Sequence, residues 1–371
     1  MLTWLTTAAG GAERSTLELA HGLRNIIGFD VVVVWWNFSG CLVAPAPRPT
    51  VPLRQVTDLR SYRRALQAEL AADPTGTLLI GTHRTTMVDV PIARDLGVTV
   101  IPVLRGILVA GHGLRTVDPA SGRLVPRAPE ELDWDLLAEA DCWVGVSRAA
   151  ASSVLEHSPH PLRVHSIHNG VPIPPHPPIP RGRPARRFSV VSRIEPWKRI
   201  DRVIAAFASL PASLAGEARL NVFGDGPALP RLRDLVDALR PAGEVVFRGY
   251  VPDRWQAETD VLVSACDIEG FGRVVVEAGA TGIPQIVPDR GGSAELVLPR
   301  TTGLVHSAGD LRALTAALAE ALTWSGHQLE AMARRAHVHA RSFSHTRYVS
   351  AYASLATQLS SPAPPASLLP A

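Results

Sequence analysis

Lysine is nearly missing from this chain. Of its 37 basic residues only Lys198 is a lysine, and the rest are arginine. With alanine and proline abundant, that bias looks like a GC-rich genome and removes the arginine count as evidence for a basic patch. The net charge of +3 is too small to imply nucleic acid as a partner. Cysteine is scarce as well. Cys41, Cys142 and Cys266 lie far apart, with no C-x-x-C or histidine-paired spacing, so no metal site is expected and each reads as a small buried hydrophobe. A disulfide framework is not expected either, which implies a reducing compartment. Long hydrophobic runs are absent: none reaches the ~18–20 residues needed to cross a bilayer, and the longest, 29–36, has a strand's length. The chain opens in strand-like 2–5 without a charged leader, so the expectation is a soluble, cytoplasmic protein with no signal peptide.

What the chain has in plenty is apolar residues, 46% of the total, enough for large cores. Its 371 residues exceed one ordinary domain and fit two of about 170–190. In the first half, apolar runs at 2–5, 30–35, 78–81, 98–103 and 142–146 alternate with helical patterns, including a basic amphipathic helix at about 57–71. In the second half the strands are expected at 188–192, 220–223, 245–249, 261–264, 284–287 and 303–305. Helices are expected at about 200–209, 229–239, 273–279, 310–323, 327–340 and 345–359. Such alternation predicts α/β architecture with parallel sheets covered by helices. A proline-rich stretch, 172–187, excludes helix or central strand and divides domain 1–171 from domain 188–343. Residues 344–359 form a last helix, and the Ser/Pro/Ala-rich tail 360–371 is expected to fray.

The richest chemistry lies at 268–277. A buried-strand pattern ends just before Glu269-Gly270-Phe271-Gly272, and a helix pattern carries Glu277. Gly270 and Gly272 bare the backbone N–H groups of a helix start, which suits phosphate or sugar oxygens. Glu269 and Glu277 suit hydroxyl pairs, because one carboxylate accepts two hydrogen bonds from a diol. The target suggested is a nucleotide carrying a sugar. Arg193 and Lys198 lie in Ser192-Arg193-Ile194-Glu195-Pro196-Trp197-Lys198-Arg199, between a strand and a helix. Two cations at such a junction would stabilise a departing diphosphate. The single ammonium stands where a guanidinium does not substitute for it.

Together these motifs resemble the retaining GT-B glycosyltransferases of family 4, known for an E-x7-E signature. The resemblance covers nearly all of the second half in motif order and is thinner in the first. It implies a GT-B fold: two Rossmann-like domains facing across a cleft, the first binding acceptor and the second the donor, with the final helix crossing back. Arg193 and Lys198 then grip the donor diphosphate, Glu277 the ribose, and Glu269 with the backbone of Gly270, Phe271 and Gly272 the sugar. Gly224, in Phe223-Gly224-Asp225-Gly226-Pro227, matches a family turn and reads as clearing space near the nucleotide. The backbone at Val251 meets the base. Gly10 and Gly11 match the N-terminal loop bordering the diphosphate. A family histidine after a middle strand is replaced by Arg105, with His83 and His112 as the other candidates. Asn169-Gly170 reads as a hinge turn that tolerates positive φ, Ser147 as a helix cap, and Gly291-Gly292-Ser293-Ala294-Glu295 as a structural turn with a donor-side share.

The implied function is transfer of a glycosyl group from a nucleotide diphosphate sugar to an acceptor hydroxyl. Configuration is retained, by front-face attack with the leaving phosphate as base. No cofactor and no metal are implied; Asp133-Trp134-Asp135 has a metal-binding form in the wrong, helical setting. The acceptor is a sugar, glycan, lipid or small-molecule natural product. Arg54, Arg60, Arg63 and Arg64 leave weak peripheral contact with an anionic membrane open. Two alternatives share the features: a non-hydrolysing nucleotide-sugar epimerase of the same fold, and a catalytically silent binding subunit of a transferase.

Overall fold

A computed structural model describes residues 2–6, 11–37, 51–74, 76–111, 114–176, 182, 184–252 and 254–360. The chain divides into two compact units. One takes the described residues up to Gly145, then Ala151–Gly170 and 345–360; the other takes Val146–Ala150 and the described residues of Val171–Ser344.

The first unit is built on a parallel sheet. Its strands are β1 (Leu2–Thr6), β2 (Val33–Asn37), β3 (Leu53–Val56), β4 (Leu78–Thr82) and β5 (Thr99–Leu104). Then come a small antiparallel hairpin, β6 (Leu114–Val117) with β7 (Leu124–Arg127), and sheet strands β8 (Trp143–Gly145) and β9 (Val164–Ser166). The sheet order is β3-β2-β1-β4-β5-β8-β9. β4 and β5 are almost continuously apolar and buried, as central parallel strands covered on both faces must be.

The helices of this unit are α1 (Gly11–Gly22), α2 (Leu59–Ala71), α3 (Thr86–Asp95), α4 (Trp134–Leu137) and the part of α5 (Arg148–His157) from Ala151 on, its first three residues counting with the other unit. α2 buries Tyr62, Leu66 and Leu70, spaced four apart on one face, and Asp58 caps it by accepting from the Ser61 N–H at 2.8 Å. Tyr62 stacks on Trp36 with centroids 5.0 Å apart. Its hydroxyl donates to fully buried Asp89 at 2.6 Å, and Thr85 donates to the same carboxylate at 2.6 Å, so the buried charge on α3 is satisfied.

The basic helix differs from the reading of the sequence. Arg54 lies in β3, before α2, and is paired with Glu69 at 2.8 Å, while Arg63 donates to the Pro119 carbonyl. Two of the four arginines are therefore engaged within the fold.

The second unit holds β10 (Arg187–Val191), β11 (Arg219–Phe223), β12 (Glu244–Gly249), β13 (Val261–Val263), β14 (Gln285–Pro288) and β15 (Gly303–His306). All pair in parallel, in the order β12-β11-β10-β13-β14-β15. Helices α6 (Ile200–Ala208), α7 (Ala212–Ala215), α8 (Leu229–Leu239), α9 (Arg273–Ala280), α10 (Leu311–Leu322) and α11 (Gly326–Ala340) connect them. The core joins Phe188 and Phe207, 6.4 Å apart, to Ile204, Leu220, Val261, Ile286 and Leu318.

The last helix, α12 (His345–Ser360), groups with the first unit and packs on α1. Tyr348 donates to the Ser15 carbonyl at 3.3 Å, and the His345 ring Nε2 lies 2.8 Å from the Glu18 carbonyl oxygen. Among the described residues no helix is long and apolar enough to cross a membrane.

Asn169-Gly170 does not adopt the expected turn, because neither residue has positive φ. Asn169 is buried and accepts from Arg105 Nη1 at 3.2 Å. Gly170 is small for a different reason: a Cβ there would come within 2.7 Å of the His345 Cα and the Tyr348 Cβ.

Candidate active site

In each parallel sheet the strand order reverses beside the unit's first strand, and connections leave toward opposite faces. That opens a crevice at the carboxyl ends of the two strands, where α/β proteins bind ligands. In the second unit the reversal lies between β10 and β13. The loops leaving these strands are 192–199 and 264–272, the two stretches the sequence marks most strongly.

They meet through one contact. Lys198 Nζ donates to Glu269 Oε2 at 2.5 Å, with side chains only 15% and 22% exposed. The ammonium also sits 4.1 Å from the centroid of the Trp197 ring. Lys198 ends a short 3₁₀ turn, Pro196–Lys198, where Pro196 sets the turn. Of the other two residues expected here, Arg193 is half exposed and lies 3.4 Å from Glu195. Glu277 accepts from Arg273 Nε at 2.8 Å, one turn back along α9. The structure thus brings Lys198 and Glu269 into direct contact and gives Arg193 and Glu277 acid–base partners of their own.

The glycines of this region do something the sequence did not suggest. A Cβ at Gly224, where φ is 132°, would stand 1.8 Å from the Ser192 carbonyl oxygen, and one at Gly226 2.5 Å from that of Ile194. The space is filled by protein backbone rather than left open for a nucleotide. The Ile194 N–H donates to the Asp225 carbonyl at 2.8 Å, and the Ala228 N–H to the Ile194 carbonyl at 3.0 Å. Gly224–Gly226 therefore brace the Arg193 loop from below.

Gly292 does the same for the Glu269 loop. Its N–H donates to the Glu269 carbonyl at 2.7 Å, and a Cβ on it would meet the Gly270 oxygen at 2.3 Å. Glu295 at the end of this turn accepts from the N–H groups of Arg148 and Ala149 at 3.0 and 2.8 Å, and Ser147 accepts from Ala150 at 3.0 Å. The open donors at the start of α5 are thereby satisfied, and the carboxylate is committed to structure.

Gly272 starts α9 in the left-handed region, with φ 93°. The Phe271 ring packs edge-on against Phe343. Val251 follows β12 beside Tyr250, whose side chain is 77% exposed. Cys266 is no nucleophile: burial, then the charge of Glu269, pushes its thiol up to about 12.

In the first unit the reversal lies between β1 and β4. Gly10 lies outside the described residues, as does His112; Gly11 is the first residue of α1. Glu13, buried in the first turn of α1, is 3.8 Å from Arg84 Nη1 just after β4. His83 precedes it, part of its surface still reaching solvent. Desolvation, then the charges of Arg84 and Arg105, lower its pKa to about 3. Its Nδ1 accepts from the Arg105 N–H at 3.4 Å, which leaves the proton of the neutral ring on Nε2. Arg105 turns toward Asn169. The pairs Glu13–Arg84, Arg202–Asp267 and Arg273–Glu277 escaped the sequence reading, since spacing marks a residue but not the side chain that meets it.

Among the described residues no group of three or more His, Cys, Asp or Glu side chains is placed to hold a metal ion. Asp133 instead caps α4 by accepting from the Leu136 N–H, and Asp135 pairs with His160 at 2.7 Å.

Residues 181–338 match the family model described as glycosyl transferases group 1. A GDP-mannose-dependent alpha-mannosyltransferase of Mycobacterium tuberculosis is 36% identical over 135 residues, 35% of this chain and 32% of its own length. A GDP-mannose-dependent alpha-(1-6)-phosphatidylinositol monomannoside mannosyltransferase of Mycolicibacterium smegmatis is 34% identical over 143 residues, 36% of this chain and 37% of its own. The chain therefore spans about a third of the length of these curated relatives. Over almost the whole chain the fold is that of Anabaena Alr3699/HepE in complex with UDP, at TM-score 0.77 and 18% identity, covering 96% of this chain and 99% of that one. The chain has the GT-B fold. The residues that match the glycosyl transferases group 1 model fall within its second unit.

Proposed function

We propose that this protein transfers a glycosyl group from a nucleoside diphosphate sugar to an acceptor hydroxyl. The observation that carries the reading is the Lys198–Glu269 contact at the β10/β13 crevice, inside the matched domain. A lone ammonium beside a carboxylate offers a cation to the departing diphosphate and an acceptor to sugar hydroxyls. Arg193, half exposed, supplies a second cation from the same loop, and Glu277 a carboxylate for the ribose.

GDP-mannose is the first donor to try, because the two curated relatives are named for it. The acceptor is a glycan, a lipid-linked sugar or a small polyol. Retention follows from a front-face route, in which the leaving phosphate takes the acceptor's proton. No carboxylate nucleophile is then needed, consistent with Glu269 being engaged by Lys198. With Lys198, Arg193 and the N–H groups at the start of α9 as counter-charge, transfer proceeds without a metal.

The test is product formation from GDP-mannose or UDP-glucose with an acceptor panel, with and without chelator. The anomeric configuration is read by NMR. A product of inverted configuration, loss of activity in chelator, or epimerised nucleotide sugar without acceptor would each remove part of the reading. Activity only after adding a partner protein would make the chain a binding subunit.

A further inference from the structure

The contact between the two loops has a second rung. Arg202, in the first turn of α6, donates through Nη1 to Asp267 Oδ2 at 3.1 Å, with side chains 24% and 30% exposed. Lys198 lies four residues before Arg202, and Glu269 two residues after Asp267. Segment 198–202 thus supplies both cations and segment 267–269 both carboxylates.

We propose that Arg202 and Asp267 are positioning residues that hold Glu269 against Lys198 in the reactive arrangement. This rests on the reading of the crevice as a nucleotide-sugar site. One ammonium–carboxylate contact fixes a distance but little direction, because an ammonium is a compact charge on a flexible stem. A guanidinium is planar, and Arg202 is carried by a helix whose Val203, Ile204 and Phe207 are fully buried. The second rung therefore ties the acidic loop to the core and stops it turning about the first.

No neighbour can take over the task. The Cys266 thiol stays protonated. Arg199 is turned onto Asp201 through two contacts, at 3.1 and 3.0 Å. Arg199 also holds φ 54°, a left-handed conformation costly for arginine, between Lys198 and α6. Such backbone persists where surrounding contacts over-determine it. The two rungs flank it on either side.

The experiment uses the full chain as Arg202→Met, Arg202→Lys and Asp267→Asn, with Arg202→Asp alone and combined with Asp267→Arg. The readouts are kcat and KM for GDP-mannose, GDP binding by thermal shift, and hydrogen exchange of 264–272. Arg202→Met and Asp267→Asn are expected to lower kcat about 10- to 100-fold, because displacement by ~1 Å suffices for that. KM stays within about twofold, since uniform binding is left intact. Exchange should rise in 264–272 and not across the unit. Arg202→Lys should retain more turnover than Arg202→Met, and the swapped pair more than Arg202→Asp alone.

Unchanged exchange of 264–272 in Arg202→Met, unchanged kcat, or faster exchange throughout the unit would overturn the proposal. A wild-type chain that binds GDP and transfers from no donor would instead overturn the functional reading, while the exchange measurement still decides the positioning.

Discussion

Both units present an acid–base pair at the point where their strand order reverses, but the pairs are built oppositely. In the second unit the cation follows the first strand and the acid follows the strand across the reversal, as Lys198 and Glu269. In the first unit the acid comes from the first helix and the cation from beyond the reversal, as Glu13 and Arg84. The contacts differ as well: 2.5 Å in one and 3.8 Å in the other. The short pair is braced by Gly224, Gly226 and Gly292 and by the Arg202–Asp267 rung. The topology makes the crevice twice, and in the second unit the braces accompany the shorter contact.

The hardest test of that contrast is to remove the charges. Lys198→Ala and Glu269→Ala are each expected to lower kcat by about 10² to 10³, the scale of losing one aimed electrostatic group. Lys198→Arg should not restore the rate. Arg84→Ala is expected to stay within about tenfold in kcat, because Arg84 and Glu13 belong to the first unit and touch neither Lys198 nor Glu269. Steady-state rates that fall as far for Arg84→Ala as for Lys198→Ala would break the comparison.

Next in size is the brace. Gly224→Ala must move backbone at Ser192, so a loss of about 1–3 kcal/mol in urea unfolding is expected, with reduced turnover. Ser147→Ala removes the cap from α5 and should lower stability by about 1 kcal/mol while leaving kcat alone. A change in kcat there would make Ser147 more than a cap.

The gentlest test concerns His83. Its folded pKa, about 3, lies below the unfolded value of about 6.5. The unfolded chain therefore binds the extra proton between those values. The contribution of His83 to stability is full above pH 6.5 and shrinks as pH falls toward about 3. Between pH 6.5 and 4 the wild type should lose stability more steeply than His83→Gln. Parallel urea midpoints for the two proteins would show that the imidazole is not held neutral.

Much of the second unit was legible before any coordinates. α8 spans 229–239 as expected, and its strands begin and end within a residue or two of the apolar runs. Buried parallel strands announce themselves as continuous Val/Ile/Leu stretches. The edges of the first unit were not legible. β3 reads Leu-Arg-Gln-Val and β9 Val-His-Ser, too polar and short to register, and the β6–β7 hairpin carries Pro126. α3 escaped because Pro91 sits inside it.

Of the site, the motif residues were visible as residue types at set spacings, but their partners were not. Arg202 and Asp267 are 65 residues apart and resemble ordinary surface charges until the β10–β13 pairing brings them together. Gly224 was read as room for a ligand because a sequence shows that a side chain is missing, not what fills its place.

The close seating of Gly224 and Gly226 on Ser192 and Ile194 also governs how this protein could be re-engineered. Segments 192–199 and 223–228 are joined by backbone hydrogen bonds, and a Cβ at Gly224 or Gly226 would strike the backbone of Ser192 or Ile194. A chimera that imports one from a homologue without the other inherits a steric conflict. Exchanged together, the two would travel as a single cassette.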